Sequence, residues 1–371
     1  MDGLSRYLTL ADTLGIIDPH RSSGGTGGTA KNCFTRHFAS KLSTPFTPRE
    51  QFRSTQVVSQ HPEVVMYRER PAESTQEHIE DLVHLYIDGA FDRRELLKRV
   101  ALYTGSVAAA VAAVGPEIMA QAVPPVGVPA NATVPENDDS VQWFWVDYAG
   151  EGGTLRSYFA RPRFETRRVP AILVIHENRG LNDHIKDVAR RVAKAGFVAL
   201  AVDLLSRVGG TESFSDPAAA TQALNRTTVA ERLADVRAGI EFLNVADYVR
   251  ADRIGTVGFC FGGGLVFTLA FNVPELSAAV PYYGTPPNPL PSWDTMNAKL
   301  LAIFSETDYN QNSRIPEIVT GMVQRRKTMG LHIYQGTAHG FHNDTSPIYN
   351  ANAAADAWSK TIAFFNTHLN A

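Results

Sequence analysis

The feature that most constrains the fold of this chain is a glycine-rich segment, residues 258–264, with the sequence Gly-Phe-Cys-Phe-Gly-Gly-Gly. It follows a short β-branched run and precedes an apolar stretch that is typical of a helix. A strand that turns directly into a helix needs small residues on both sides, because the backbones approach closely there. Gly258 and Gly262 flank Cys260 at the spacing of a nucleophile elbow, with cysteine where serine is commoner. The segment predicts a strand–turn–helix unit that projects a catalytic thiol; the alternative is the same turn around a structural cysteine.

Composition, net charge and cysteine count indicate which class of protein the chain belongs to and which classes they exclude. The chain has 371 residues, of which 44% are hydrophobic and 20% charged, as in an ordinary globular protein with a sizeable core. A net charge of −3 offers no basic field for nucleic acid, so no nucleic-acid partner is predicted. Only Cys33 and Cys260 are cysteines, which excludes a disulfide framework and predicts a free thiol at Cys260. No strictly apolar run is long enough to predict a stable membrane span.

The first 65 residues differ in character from the rest. A Gly/Ser/Thr tract at 22–29 lies in a region without useful apolar periodicity. We predict that residues 1–65 are disordered, or that they lie upstream of the true start, with Met66 as the initiator.

Residues 66–122 resemble a twin-arginine export leader. Arg93 and Arg94 precede an Ala-rich apolar segment at 100–114, and Ala-Gln-Ala follows at 120–122. This order predicts contact with export machinery through the two arginines and a mature chain that begins near Val123, periplasmic or extracellular. Residues 123–140 would then be a Pro-rich linker or arm. The alternative is a cytoplasmic protein in which the arginines belong to an ordinary helix.

From Val141 onward the chain alternates strands and helices. Residues 141–148 and 154–160 predict a hairpin around Gly150-Glu-Gly-Gly153. Apolar runs of strand length then alternate with amphipathic helical patterns, and no internal repeat is visible. Further strands are predicted at 171–175, 197–202, 254–257, 278–283, 300–304 and 331–334, and helices at 185–195, 229–243, 315–329 and 358–369. This alternation predicts one α/β domain over 141–371, with a mostly parallel sheet covered by helices on both faces.

Polar residues with catalytic chemistry follow several of these strands. A thiol nucleophile needs a base, and the base needs an orienting acid. Asp308 follows the strand at 300–304, and His339 follows the strand at 331–334. The order Cys260, Asp308, His339 is the nucleophile–acid–histidine order of the α/β-hydrolase fold. Glu306 is the alternative acid, and His342 is the alternative base.

The loop after the strand at 171–175 reads His-Glu-Asn-Arg-Gly-Leu. In this fold that loop supplies one amide of the oxyanion hole, and the residue after the nucleophile supplies the other. The backbone N–H groups of Asn178 and Phe261 are therefore the candidates. Glu177 places a carboxylate near the thiol, where it either holds Cys260 protonated at rest or pairs with Arg179. The alternative is a helix-entry loop with a local salt bridge.

These three motifs together resemble the dienelactone hydrolase family of carboxymethylenebutenolidase-like enzymes, including a branch with twin-arginine-like leaders. The elbow, the loop at 176–181 and the Ala-His-Gly-Phe-His segment at 338–342 carry the likeness, which extends from Val141 to Ala371. The resemblance implies a Cys260–Asp308–His339 triad, a thiol modulated by Glu177, and ester or lactone hydrolysis through an acyl-thioester. It implies neither a metal nor an organic cofactor.

One departure from the family bears on the substrate. Its best-known members hold a substrate carboxylate with arginines, one of them four residues after the histidine, where this chain has Asn343. Dienelactone itself is therefore not the expected substrate. Arg179, Arg207, Tyr282 and Tyr283 are candidate pocket residues. We predict a small ester or lactone as substrate; the alternatives are a broader carboxylesterase or thioesterase on the same triad, or a non-catalytic relative with a redox or structural Cys260.

Overall fold

The computed structural model describes residues 74–87, 91, 93–115 and 133–370. The predictions made for residues 1–65, for Met66 and for the Ala-Gln-Ala segment at 120–122 lie outside these ranges. So does the predicted mature start at Val123.

The core of the described chain is an eight-stranded sheet in the order β1-β2-β4-β3-β5-β6-β7-β8. The first two strands form the predicted hairpin, in which Val141 pairs with Pro162 and Gly150 with Gly153. β2 also runs antiparallel to β4, and every pairing from β4 to β8 is parallel. The strands are β1 Val141–Gly150, β2 Gly153–Pro162, β3 Val169–Ile175, β4 Val198–Val202, β5 Val249–Phe259, β6 Leu276–Tyr282, β7 Lys299–Ser305 and β8 Met329–Tyr334.

Helices cover both faces of this sheet, as the alternation of elements predicts. Within the described ranges the helices are α1 Thr75–Ile87, α2 Arg93–Thr104, α3 Val107–Val114, α4 Asp183–Lys194, α5 Pro217–Arg226, α6 Val229–Asn244, α7 Phe261–Asn272, α8 Tyr309–Asn312, α9 Ile315–Gln324 and α10 Ala351–Leu369. The predicted helix at 315–329 was too long, because Arg326 takes a left-handed backbone (φ 53°) and β8 begins at Met329.

The sheet has one core layer on each face. Strand β3 contributes to both, because its neighbouring side chains point to opposite faces. Leu173 and Ile175 pack in the layer that contains α6, α7 and α9. Ile172 and Val174 pack in the layer that contains α4 and α10. Since a strand buried on both faces is apolar throughout, this central strand reads as an uninterrupted apolar run rather than an alternating one.

The N-terminal helices α1 to α3 form a small core of their own. Its buried members include Leu82, Leu85, Leu96 and Val100, and Ala218 of α5 packs against it. Arg93 and Arg94, the two arginines of the predicted leader, are exposed at the start of α2.

The described residues contain no single helix that meets the length and hydropathy expected of a membrane span. Helices α2 and α3 meet that criterion only as a pair, and the chain bends by 104° between them.

Candidate active site

The turn from β5 into α7 holds Cys260 in a left-handed backbone conformation, with φ 54° and ψ −117°. A non-glycine residue in such a conformation costs about 1–3 kcal/mol and is held there only by its surroundings. Here the Cys260 N–H donates to the Tyr282 carbonyl at 3.1 Å, and the Gly264 N–H donates to the Cys260 carbonyl at 3.1 Å. The thiol consequently lies at the carboxyl end of the sheet, directly before the first turn of a helix.

The glycines of the elbow are required by close backbone contacts. A Cβ on Gly258 would lie 2.5 Å from the Gly262 carbonyl oxygen, and a Cβ on Gly262 would lie 2.4 Å from that of Ile175. No side chain fits at such distances, so these two positions bring α7 against the end of β3.

His339 and Asp308 meet above the ends of β7 and β8. Nδ1 of His339 lies 3.0 Å from both carboxylate oxygens of Asp308, so its N–H donates to that carboxylate. Both side chains are buried. His339 and Cys260 line the same cavity.

The electrostatics of His339 follow from these neighbours. Burial acts to lower the pKa of the imidazole, but the negative charges of Asp308 and Cys260, together with the hydrogen bond to Asp308, raise that pKa well above its ordinary value.

The alternative acid and base lie elsewhere. Glu306 accepts a hydrogen bond from the Gly336 N–H at 2.6 Å, in the loop after β8. His342 is fully buried with its ring stacked 5.0 Å from that of Phe259. Burial, with the nearby charges of Arg191 and His184, holds the pKa of His342 well below its ordinary value. A histidine in that setting remains neutral within the core.

Hydrogen bonds fix the loop after β3 just before Asn178 and at Asn178 itself. His176 donates from Nδ1 to the Glu177 carbonyl at 2.6 Å and accepts at Nε2 from the Leu204 N–H at 3.1 Å. Burial lowers the pKa of His176, which favours the neutral ring that can both donate and accept. Thr221 of α5 donates its hydroxyl to the Asn178 carbonyl at 3.1 Å. The backbone of Asn178 is therefore positioned by two separate elements.

Glu177 is fully buried and contacts Asn343, which stands where the best-known family members have an arginine. Its Oε2 accepts from Asn343 Nδ2 at 2.8 Å. The other end of the same amide, Asn343 Oδ1, accepts from the Thr345 N–H at 3.0 Å and from its hydroxyl at 2.7 Å. These bonds orient the Asn343 amide so that its NH₂ group faces the carboxylate.

A cavity of about 300 Å³ opens beside the thiol. Cys260, His339, Asn178, Phe261 and Tyr283 all line it. It therefore contains the predicted nucleophile and base and the two residues predicted to form the oxyanion hole. The Tyr283 ring lies 5.0 Å from the His339 ring, which closes one side of the cavity.

The other candidate pocket residues have different surroundings. Arg207 pairs with Asp235 of α6, with Nη2 and Oδ1 2.7 Å apart. Tyr282 is buried in the core, where its hydroxyl is 2.7 Å from that of Thr361. Arg179 is partly exposed and is not among the residues that line the cavity. Of the four sequence candidates, only Tyr283 lies along this cavity. It follows the end of β6 with φ 37°, whereas Tyr282, the last residue of the strand, faces the core.

Several residues of the site were missed from the sequence, and three of them bear on its chemistry or its support. Arg232 of α6 lines the cavity with its guanidinium 4.7 Å above the Phe261 ring. Thr221 supports Asn178, and Asp81 of α1 lines the cavity from the N-terminal segment. Each comes from a helix far along the chain from the motifs, so no local pattern indicates it.

Among the described residues, no group of three or more His, Cys, Asp or Glu side chains is arranged to hold a metal ion.

Known proteins match the part of the chain that builds this site. Residues 155–369, more than half of the chain, match the family model for the dienelactone hydrolase family. A carboxymethylenebutenolidase candidate from Saccharolobus solfataricus is 31% identical over 249 residues, which cover 58% of this chain and 95% of that protein. A lactonase candidate for 2-oxo-3-(5-oxofuran-2-ylidene)propanoate from Bradyrhizobium is 33% identical over 242 residues, covering 62% of this chain and 96% of the relative.

Solved structures agree in fold. A dienelactone hydrolase candidate from Klebsiella pneumoniae superposes with a TM-score of 0.56 at 24% identity and covers 62% of this chain and all of its own. Together with the mostly parallel sheet, this likeness establishes an α/β-hydrolase fold. The chain belongs to the dienelactone hydrolase family and is a hydrolase that acts on carboxylic ester or lactone bonds.

Proposed function

We propose that this enzyme cleaves a small ester or lactone with Cys260 as nucleophile, His339 as acid and base, and Asp308 as the orienting acid. One observation carries the proposal: Cys260 and His339 line one cavity, and the Nδ1–H of that histidine donates to the Asp308 carboxylate at 3.0 Å. The raised pKa of His339 agrees with this arrangement. A thiolate–imidazolium pair of this kind holds the sulfur in its nucleophilic form at neutral pH.

Acylation follows from the geometry. The Sγ of Cys260 attacks the carbonyl carbon, and the C=O electron pair moves onto oxygen. Phe261 begins α7, and the first N–H groups of a helix have no partner within it, so its N–H is available to the oxyanion. The N–H of Asn178 is proposed as the second donor. When the intermediate collapses, the C–O bond breaks and His339 gives its proton to the leaving oxygen.

Deacylation uses the same groups in reverse roles. His339, now neutral, takes a proton from a water molecule, whose oxygen attacks the thioester carbonyl. The C–S bond breaks, the thiolate returns and the carboxylic acid product leaves. Asp308 stabilises the imidazolium each time it forms, and its bond to Nδ1 keeps Nε2 directed at the reacting atoms.

The cavity supports a small substrate. A volume of about 300 Å³ lies at the lower end of ligand pockets. The relatives named above are candidates for lactone hydrolysis, which makes a lactone or aryl ester the first class to test. Because Asn343 is committed to Glu177, it provides no charged clamp for a substrate carboxylate.

The test compares the wild-type protein with Cys260→Ala on 4-nitrophenyl acetate and on dienelactone. We expect the wild-type protein to hydrolyse the acetate, with a loss of at least about a thousandfold in kcat/KM in the variant. Quenched wild-type enzyme should carry one acetyl group, located on Cys260 by mass spectrometry. An unchanged rate in Cys260→Ala, or an acetyl group on another residue, would contradict the proposal.

A further inference from the structure

Helix α1 supplies part of the wall of the catalytic cavity, although it lies outside the residues that match the family. The family model begins at residue 155, whereas Asp81 of α1 lines the same cavity as Cys260 and His339. The N-terminal segment therefore brings a carboxylate to the cavity that the family core does not contribute.

Specific contacts hold α1 in this place. Oδ2 of Asp81 accepts a hydrogen bond from Nδ2 of Asn225, which also lines the cavity, at 2.9 Å. Leu82 and Leu85, on the same helix, are buried in the N-terminal core. Arg99 of α2 then pairs with Asp216, the residue that caps α5, at 3.0 Å. A polar contact, an apolar core and an ion pair thus fix the segment to α5.

Charge is sparse around this cavity. Besides the proposed Cys260–His339 pair, its charged lining residues are Asp81 and Arg232. The Arg232 guanidinium donates through Nε to Thr227 Oγ1 at 2.7 Å and through Nη2 to the carbonyls of Leu224 and Thr227. Those acceptors are neutral, so Arg232 keeps its positive charge. The Asp81 carboxylate along the same cavity offsets that charge and reduces the attraction of an anionic substrate to the thiol.

We infer that Asp81 is a specificity-determining residue, whose carboxylate offsets the positive charge of Arg232 and thereby weakens the binding of substrates with a carboxylate near the scissile bond. The inference rests on the proposed function of Cys260. It also agrees with the amide at position 343, because both features remove a means of binding an anion.

The first test measures the charge at the thiol without any ester. Iodoacetamide and iodoacetate alkylate a thiolate in the same way: an S–C bond forms, the C–I bond breaks and iodide leaves. They differ in that only iodoacetate carries a negative charge. We expect the ratio of the iodoacetate rate to the iodoacetamide rate at Cys260 to rise about tenfold in Asp81→Asn.

Matched variants control this result. Asn has the shape of Asp and keeps an acceptor oxygen for Asn225. Asp81→Glu retains the charge and should keep a ratio near that of the wild-type protein. Glu80→Gln removes the same charge from the neighbouring, exposed position of α1 and should change the ratio less than about twofold. Circular dichroism confirms that each variant is folded.

The second test uses esters. We compare the anionic 4-nitrophenyl hemisuccinate with the neutral 4-nitrophenyl pentanoate. The kcat/KM of the anionic ester divided by that of the neutral ester should rise in Asp81→Asn by a factor similar to that seen in alkylation. 4-Acetoxybenzoate against phenyl acetate places the charge on the alcohol side instead. The rise should weaken at high salt, as a charge effect does.

Three outcomes are decisive. Equal ratios in Asp81→Asn and the wild-type protein, or an equal rise in Glu80→Gln, would overturn the specificity role and leave the Cys260 mechanism intact. If no ester is hydrolysed faster than by Cys260→Ala, the proposed function fails and the specificity role falls with it. A rise confined to Asp81→Asn in both tests supports both proposals.

Discussion

At the scale of single residues, the behaviour of the site depends on the charges around one buried imidazole. The pKa of His339 is set by burial, which lowers it, against the charges of Asp308 and Cys260, which raise it further than burial lowers it. Because the folded-state pKa is raised, the favourable energy of the charged ring is fully present below the unfolded value of about 6.5. It is lost as the pH rises through the folded value.

The upward shift of the His339 pKa leads to a prediction for Asp308→Asn. Without the carboxylate, the pKa of His339 should fall, so the alkaline decline of acylation, which needs the imidazolium as acid, should move to lower pH. We also expect kcat/KM to drop by about 10²–10⁴-fold near neutral pH. A pH–rate profile and the NMR titration of the His339 ring measure both effects.

A control for this experiment is available in the same loop. Glu306 is the alternative acid, and its carboxylate bonds to Gly336 rather than to His339. Glu306→Gln should leave the pH profile in place. If Glu306→Gln moves the profile and Asp308→Asn does not, the assignment of the acid is wrong.

At the scale of elements, the packing of α7 against the end of β3 positions the nucleophile. A Cβ at Gly262 would come within 2.4 Å of the Ile175 carbonyl oxygen and 2.5 Å of that of His176. Neither backbone atom can move without displacing the strand that precedes the oxyanion loop. The elbow and the oxyanion loop are therefore coupled through this one glycine.

We predict that Gly262→Ala destabilises the protein by at least about 2 kcal/mol. Gly264→Ala, two residues further along the same helix, is the matched control, since its Cβ would meet a single oxygen, that of Thr285, at 3.0 Å. That contact is tight, but a shift of a few tenths of an ångström relieves it, and the gain in helix propensity, about 1 kcal/mol, offsets part of its cost. Urea unfolding of both variants measures the difference; equal free energies of unfolding would refute the argument.

Elements also show what could be predicted from the sequence and what could not. The succession of strands and helices after Val141 was predictable because apolar periodicity changes from one element to the next. The hairpin of β1 and β2 was predictable from its glycine turn. The loop that contains Asp308 and the loop that contains His339 were predicted to meet because both follow parallel strands. In the structure, Nδ1 of His339 lies 3.0 Å from Oδ1 of Asp308.

The rest depends on contacts between distant parts of the chain. Helix α5 was missed: it has an Asp N-cap and a proline in its first turn, but Leu224 is the only large apolar residue on its buried face. The contact of Asp81 with Asn225 joins residues 144 positions apart, which no local pattern reveals. Arg207 and Tyr282 were candidates because of their loops, yet the direction of each side chain depends on tertiary packing.

At the scale of the whole molecule, the predicted leader and the inferred role of Asp81 concern the same N-terminal segment. The twin-arginine pattern at Arg93 and Arg94 predicts a leader that is removed near Val123. The same segment contains α1 and therefore Asp81. If processing occurs as predicted, it removes a charged wall of the cavity, and the mature enzyme should accept anionic esters as Asp81→Asn does.

The protein isolated from a bacterial host with a twin-arginine pathway tests this prediction. We expect intact mass to place the N-terminus of the exported form near Val123, and its iodoacetate-to-iodoacetamide ratio to exceed that of the unprocessed chain by about tenfold. Replacing both arginines by lysine, which keeps their charge, should hold the chain in the cytoplasm with α1 attached. An exported wild-type protein whose N-terminus lies upstream of Thr75 would contradict removal of the leader. In that case α1 is a permanent wall of the site, and the preference for uncharged esters is a property of the mature enzyme.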